Sequence, residues 1–398
     1  MEARIRRHQV KALDFEGNRY PNEQKWSASQ GWTLDGDEVV LRQFIRVLGG
    51  VALALIVSSC SRVVATPQTT TTSTVASSVK PPVWGVPTKQ SPSFFYASDV
   101  SEQARDRVEE TFAVATTHWP KYGPLEIWVT GVKPPAILGL VNDYCARRVE
   151  LEQMDKFVCL NEYRYRPFEE YRTWSAIDAV EGTHRMQGQL SNTEKYGFLQ
   201  IVVSYPAGFT EDFSEYAGDV QQVIFHEYFH AVQRSAISQM ADIDFDLATR
   251  KRLFGPPWFS EGSAEFMSLR AVSDLRQSGQ LPIYEGVLDD FVFHDLMVEK
   301  LDAAKASLLR YKKVTLSDAD HLSEKLSPYH IGAWAVAYLV HKTNPNVLLD
   351  TFYPNIAKLG WAKTFKLSFG ISPAQFETEF MKFMKLTTDE QTPILVSE

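Results

Sequence analysis

His226, Glu227 and His230 stand in an H-E-x-x-H run within the apolar stretch Val223-Ile224-Phe225-His226-Glu227-Tyr228-Phe229-His230-Ala231-Val232. Residues four apart lie one turn apart on the same face of a helix, so the two imidazoles can share one ion. Two imidazoles suit Zn²⁺, and a glutamate beside the first of them stands where a general base would act on water. Glu227 is the only acidic residue between Val223 and Gln233, and neither Pro nor Gly interrupts the run. A buried helix that positions a metal needs such a composition.

A catalytic zinc takes three protein ligands and leaves a fourth position open. The metzincin spacing would place Gly at 233 and His at 236. The chain has Gln233 and Ala236 there, which removes that class. The next acidic pair lies in Pro257-Trp258-Phe259-Ser260-Glu261-Gly262-Ser263-Ala264-Glu265-Phe266. Glu261 and Glu265 again share a helix face. One can bind the ion while the other accepts a hydrogen bond from the outer N–H of a ligand histidine, fixing its tautomer.

Together, H-E-x-x-H and W-x-x-E-G-x-A-E resemble the gluzincins, in particular the peptidase MA-like group and the catalytic domains of bacterial collagenases. The helical C-terminal third is similar more loosely, and nothing before residue 198 carries the likeness. The resemblance implies zinc-dependent hydrolysis of peptide bonds. It implies His226, His230 and Glu261 on zinc, Glu227 as the base, and Glu265 as the carboxylate that supports His226. Ser260 departs from the Asn that thermolysin and the aminopeptidases carry before the ligand glutamate. In gluzincins a sheet precedes the metal helix and its edge strand pairs with the substrate backbone, which implies that the strand at 198–205 belongs to that sheet.

Such a site needs one more donor near the developing oxyanion, often Tyr or His. Tyr329 and His330, near the start of the helix Pro328-Tyr329-His330-Ile331-Gly332-Ala333-Trp334, are the candidates; a packing Tyr and a surface His are the alternative. His294, His321 and His341 read as ordinary surface or capping residues. Two other readings of the chain stay open: a zinc-stabilised binding or scaffolding module without catalysis, and a helical protein with no metal. An inactive module would have little need of Glu227.

The elements that must position these residues form an α+β pattern, which the resemblance makes zincin-like. Phe94-Phe95-Tyr96 predicts a short strand, and Ser98 or Ser101 a helix cap before a helix to about 117. Leu125–Val129 alternates as a strand. Residues 136–154 predict a helix, 157–160 a strand, and 198–205 a strand ended by Pro206; 165–195 has no clear pattern. From Tyr216 the chain predicts helices at 216–238, 257–278, 286–310, 328–343, 346–359 and 373–386. An upper α+β part (93–215) and a helical zinc-binding part (216–398) would then enclose the cleft between them.

The 398 residues carry a net charge of −8, and no basic-aromatic stripe offsets it, which argues against nucleic acid as a partner. Arg42 and Arg46 precede an apolar run from Val47 to Val57, shorter than the roughly 20 residues that span a bilayer. The run reads as a signal peptide over 41–60. Val57-Ser58-Ser59-Cys60 resembles a bacterial lipobox, which implies a lipid on Cys60 and an extracytoplasmic, membrane-anchored protein. Residues 61–92 are a Thr/Ser/Pro-rich tether. Residues 1–40 fit poorly ahead of a signal peptide, and a start codon assigned too early would explain them. Cys145 and Cys159 either bridge, closing a loop of about 15 residues worth about 3 kcal/mol, or remain separate buried thiols.

Overall fold

A computed structural model describes residues 84–395, apart from 164–165, 182–185, 205–216, 239, 241–246, 285–290 and 322. The expected extension, signal peptide and Cys60 therefore lie outside the described residues, as does the tether up to residue 83. The fold begins earlier than the 61–92 tether allowed. Trp84 is buried, and β1 (Val86–Pro87) pairs antiparallel with β3 (Tyr122–Gly123).

The architecture is α+β, mostly helical, around a small mixed sheet. Its strands are β2 (Ser93–Tyr96), β4 (Leu125–Val129), β6 (Leu199–Val203) and β5 (Gly188–Ser191), in the order β2-β4-β6-β5. β2, β4 and β6 run parallel; β5 runs antiparallel at the edge, with Gly188 opposite Val203 and Leu190 opposite Ile201. Every residue of β4 and β6 is buried, as expected for central strands covered on both faces.

On one face, Trp128 stacks on Phe95 and meets Tyr144 of α2 (Pro134–Glu150) and Phe168 of α4 (Phe168–Glu181). On the other, Phe94 packs on Phe112 of α1 (Glu102–His118). The cap of α1 is Ser101, whose hydroxyl accepts from the Ala104 amide at 3.2 Å.

Residues 157–160 are not a strand. They lie in α3 (Lys156–Tyr163), where Cys159 and Tyr163, four apart, turn inward. Asp155 starts this helix by accepting from the Phe157 and Val158 amides at 2.8 and 3.2 Å, so a local cap prevails over the apolar run. Cys145 of α2 and Cys159 of α3 are joined by a disulfide.

The helical part holds α5 (Ala217–Ser235), α6 (Leu247–Phe254), α7 (Pro257–Gln277), α8 (Phe293–Arg310), α9 (Pro328–His341), α10 (Tyr353–Leu359), α11 (Trp361–Phe369) and α12 (Pro373–Phe383). The expected helix at 346–359 is divided: a π-helical turn, Leu348–Phe352, precedes α10. α7 packs against α5 on one side and α9 on the other. One hydrophobic core runs from Trp84 to Met384 through both expected subdivisions. Among the described residues no helix is long and apolar enough to cross a membrane.

Candidate metal centre

α5 presents His226, Glu227 and His230 because its other face is anchored in the core. Phe225, Tyr228 and Phe229 surround the Trp119 ring, and the Tyr228 hydroxyl donates to the Pro120 carbonyl at 2.8 Å. α7 begins after Gly255, whose φ of +81° and contact with the Trp361 ring suit glycine alone. Pro257 then occupies the first turn, and the helix carries Glu261 and Glu265 across α5.

The two helices bring three ligand atoms together. His226 Nε2 and His230 Nε2 lie 3.1 Å apart, and Glu261 Oε2 is 3.3 Å from the first and 3.1 Å from the second. A tetrahedral ion with bonds of about 2.0–2.1 Å would separate its ligand atoms by about 3.3–3.4 Å. His226, His230 and Glu261 thus form a group that can bind a metal ion.

The outer hydrogen bonds suit the same role. His226 Nδ1 meets Glu265 Oε2 at 2.9 Å, and His230 Nδ1 meets Gln233 Oε1 at 2.9 Å. Gln233 is oriented by its own amide, which donates to the Ser260 carbonyl and the Ser263 hydroxyl. With protons on both Nδ1 atoms, two imidazole lone pairs and a carboxylate oxygen converge, an arrangement that calls for a positive charge at its centre.

Electrostatics reflect that demand. Burial disfavours the His226 cation, but bonds to Glu261 and Glu265 outweigh it and push the imidazole up to about 10. Burial also works against the Glu261 anion, yet the neighbouring His230 and His321 hold it well below the usual carboxylate range. Glu227 is shifted the other way, upward, chiefly by burial. Its Oε2 is buried with no hydrogen-bond partner among the described residues, while the Leu190 amide of β5 donates to the carboxylate. Gly188 makes room for it: a Cβ there would stand 2.5 Å from Glu227 Cγ.

Tyr329 and His330 part company. The Tyr329 ring lies 5.9 Å from the His226 ring, and burial with the charges of Glu261 and Glu227 keeps its phenol protonated. His330 is pushed down to about 4 by burial and by the charge of Lys300, so it sits uncharged. Of the three histidines read as surface residues, His294 pairs with exposed Asp295 and His341 is exposed. His321 is a correction: its Nε2 stands 3.3 Å from Glu261 Oε1, and its Nδ1 is 3.4 Å from the Tyr329 hydroxyl. Nothing local in the sequence shows this, because only the tertiary fold brings His321 to Glu261.

Tyr171, Gln222, Gln233 and Lys300 also belong to the surroundings and were not expected. Gln233 was legible, three residues after His230 on the same face. Tyr171 comes from the stretch without pattern; its hydroxyl donates to the Gly188 carbonyl at 2.8 Å. The strand at 199–203, β6, does belong to the sheet and lies one place inward of β5, the edge strand beside Glu227. No family model, no curated protein and no solved structure matches this chain.

Proposed function

We propose that this chain is a zinc-dependent peptidase with a zincin-like, gluzincin-type site. The observation that carries the reading is the trio His226, His230 and Glu261, set at tetrahedral spacing beside the partnerless Oε2 of Glu227. When bound, zinc supplies Lewis-acid polarisation of a carbonyl and lowers the pKa of a coordinated water toward about 7.

The protein's own groups do the rest. Glu227 takes the proton of the attacking water and delivers it to the leaving amine, and its upward-shifted carboxyl suits both halves of that exchange. Tyr329 remains a phenol and offers an O–H toward the charge that develops on the substrate oxygen. Glu265 and Gln233 hold the two imidazoles in the tautomer that turns Nε2 inward. Because Gln187 and Gln189 face β6 in the ladder, Gly188 and Leu190 turn their backbone groups toward the outer edge of β5. On that edge the Gly188 carbonyl already accepts from Tyr171 and the Leu190 N–H already donates to Glu227, so an extended peptide would pair through the Gly188 N–H and the Leu190 carbonyl. The signal and lipobox-like residues up to Cys60 support an anchored protein acting outside the cell, on peptide or protein substrates.

The test is a peptide-library digest with zinc quantified in the same preparation. About one zinc per chain and chelator-sensitive cleavage are expected, and Glu227→Gln should keep the zinc and lose about 10²–10⁴-fold in rate. Zinc-free protein would overturn the metal reading. Zinc without cleavage would favour a binding module, and undiminished activity in Glu227→Gln would remove Glu227 as the base.

A further inference from the structure

Glu265 is gripped at both oxygens. Its Oε2 accepts from His226 Nδ1 at 2.9 Å and from Gln222 Nε2 at 3.0 Å. Its Oε1 takes the Lys300 ammonium of α8 at 2.5 Å. The Lys300 side chain is only 12% exposed, so this ion pair is sealed inside the protein rather than screened at its surface.

We infer that Lys300 is a positioning residue of the metal centre: by fixing one oxygen of Glu265 it aims the other at His226 and holds that imidazole in line for zinc. The inference rests on the metal reading of His226, His230 and Glu261.

Two physical reasons support it. The terminal torsion of a glutamate is broad, so a bond at one oxygen leaves the plane of the carboxylate free to turn. With Oε1 in the ammonium and Oε2 shared by His226 and Gln222, the plane is set. Charge explains why the group is a lysine and not a neutral donor. Glu227, Glu261 and Glu265 crowd three carboxylates into one buried site. A zinc ion would bring two positive charges to this group, and Lys300 adds one on the far side of Glu265. Without Lys300, the outer oxygen of Glu265 would be left buried and unpaired.

The sign of the effect makes the inference testable. Through space alone, removing a cation near the metal would tighten zinc binding. Losing the orientation of Glu265 would weaken it. The full-length protein, stripped of zinc, is titrated with zinc against a chromophoric chelator as wild type, Lys300→Met and Lys300→Arg. Lys300→Met should bind zinc about 10–100-fold more weakly, with Lys300→Arg recovering to within about threefold. The visible spectrum of the Co²⁺-loaded Lys300→Met protein should also change, which a remote packing defect would not cause. Melting of the metal-free variants separates loss of fold from loss of ligand geometry. If Lys300→Met does not fold, Lys300→Gln carries the same expectation.

Unchanged or tighter zinc binding in the neutral variants overturns the inference, as does an arginine variant as weak as the methionine one. Wild type that binds no zinc overturns the metal reading itself, a different result from wild type that binds zinc as its variants do.

Discussion

Gly262 and Gly332 touch where α7 crosses α9: a Cβ built on Gly262 would stand 2.3 Å from the Gly332 carbonyl carbon. A Cβ on Gly332 would in turn meet the Trp258 carbonyl oxygen at 2.2 Å. Neither obstacle is a flexible side chain, so the helices must part if either glycine gains a carbon. Glu261 precedes one glycine and Tyr329 lies one turn before the other. The helix contact that seats a proposed zinc ligand therefore also sets its distance from the proposed oxyanion donor.

Gly262→Ala should accordingly cost about 1–3 kcal/mol, the usual range for overpacking. Thermal melting of the metal-free protein reads the loss. Zinc affinity should fall with it, because Glu261 is displaced along with the backbone. A variant as stable as wild type would show that the crossing yields more easily than its geometry indicates.

Zinc binding should tighten as pH rises. His226 in the metal-free protein is pushed up to about 10, so below that pH an incoming ion must displace a proton. One displaced proton gives about a tenfold gain in affinity per pH unit, readable by chelator competition between about pH 6 and 9. The stability of the metal-free fold should run the opposite way. A folded pKa raised above the unfolded value of 6.5 stabilises fully below 6.5, and that contribution is lost as pH rises toward 10. Zinc affinity independent of pH would remove the proton from the site.

Tyr329→Phe should retain zinc and lower kcat by about 10–10³-fold with a smaller change in KM, since an oxyanion donor acts mainly in the transition state. His330→Ala should leave the base and the donor in place. Its neutral ring feels the charges of Lys300 and Glu265, so the expected change is in zinc affinity rather than in the chemical step. If the two variants behave the other way round, the roles are exchanged.

Replacing Cys145 and Cys159 together by Ser should lower stability by about 3 kcal/mol, as measured by denaturant unfolding. The bridge ties α3 to α2 on the sheet face opposite Phe94, and neither cysteine contributes to the candidate metal group. Zinc affinity should therefore hold while the unfolding midpoint falls.

The candidate site was legible because its residues are local. His226, Glu227 and His230 share one helix turn, Glu261 and Glu265 share another, and Gln233 follows His230 on the same face. Helical periodicity alone places each group on a common side. Central strand β4 announced itself by alternation, and β6 by a strand-like run that Pro206 ends. The strand expected at 157–160 failed because a short apolar run does not distinguish strand from helix, and the Asp155 cap decided it. β5 was illegible for a related reason: an edge strand of Gly188-Gln189-Leu190-Ser191 has little apolar character to read.

By itself, then, the sequence determined the candidate ligand residues, their grouping on two helices and the α+β class. Tertiary structure decided what surrounds them: Tyr171 and Gly188 along the edge of β5, His321 over Glu261, and Lys300 behind Glu265. Those side chains come from segments far apart in the chain, and no periodicity links them. Their relation exists only because α5, α7, α8 and α9 bury their apolar faces together, which draws buried carboxylates and their counter-charges into one place.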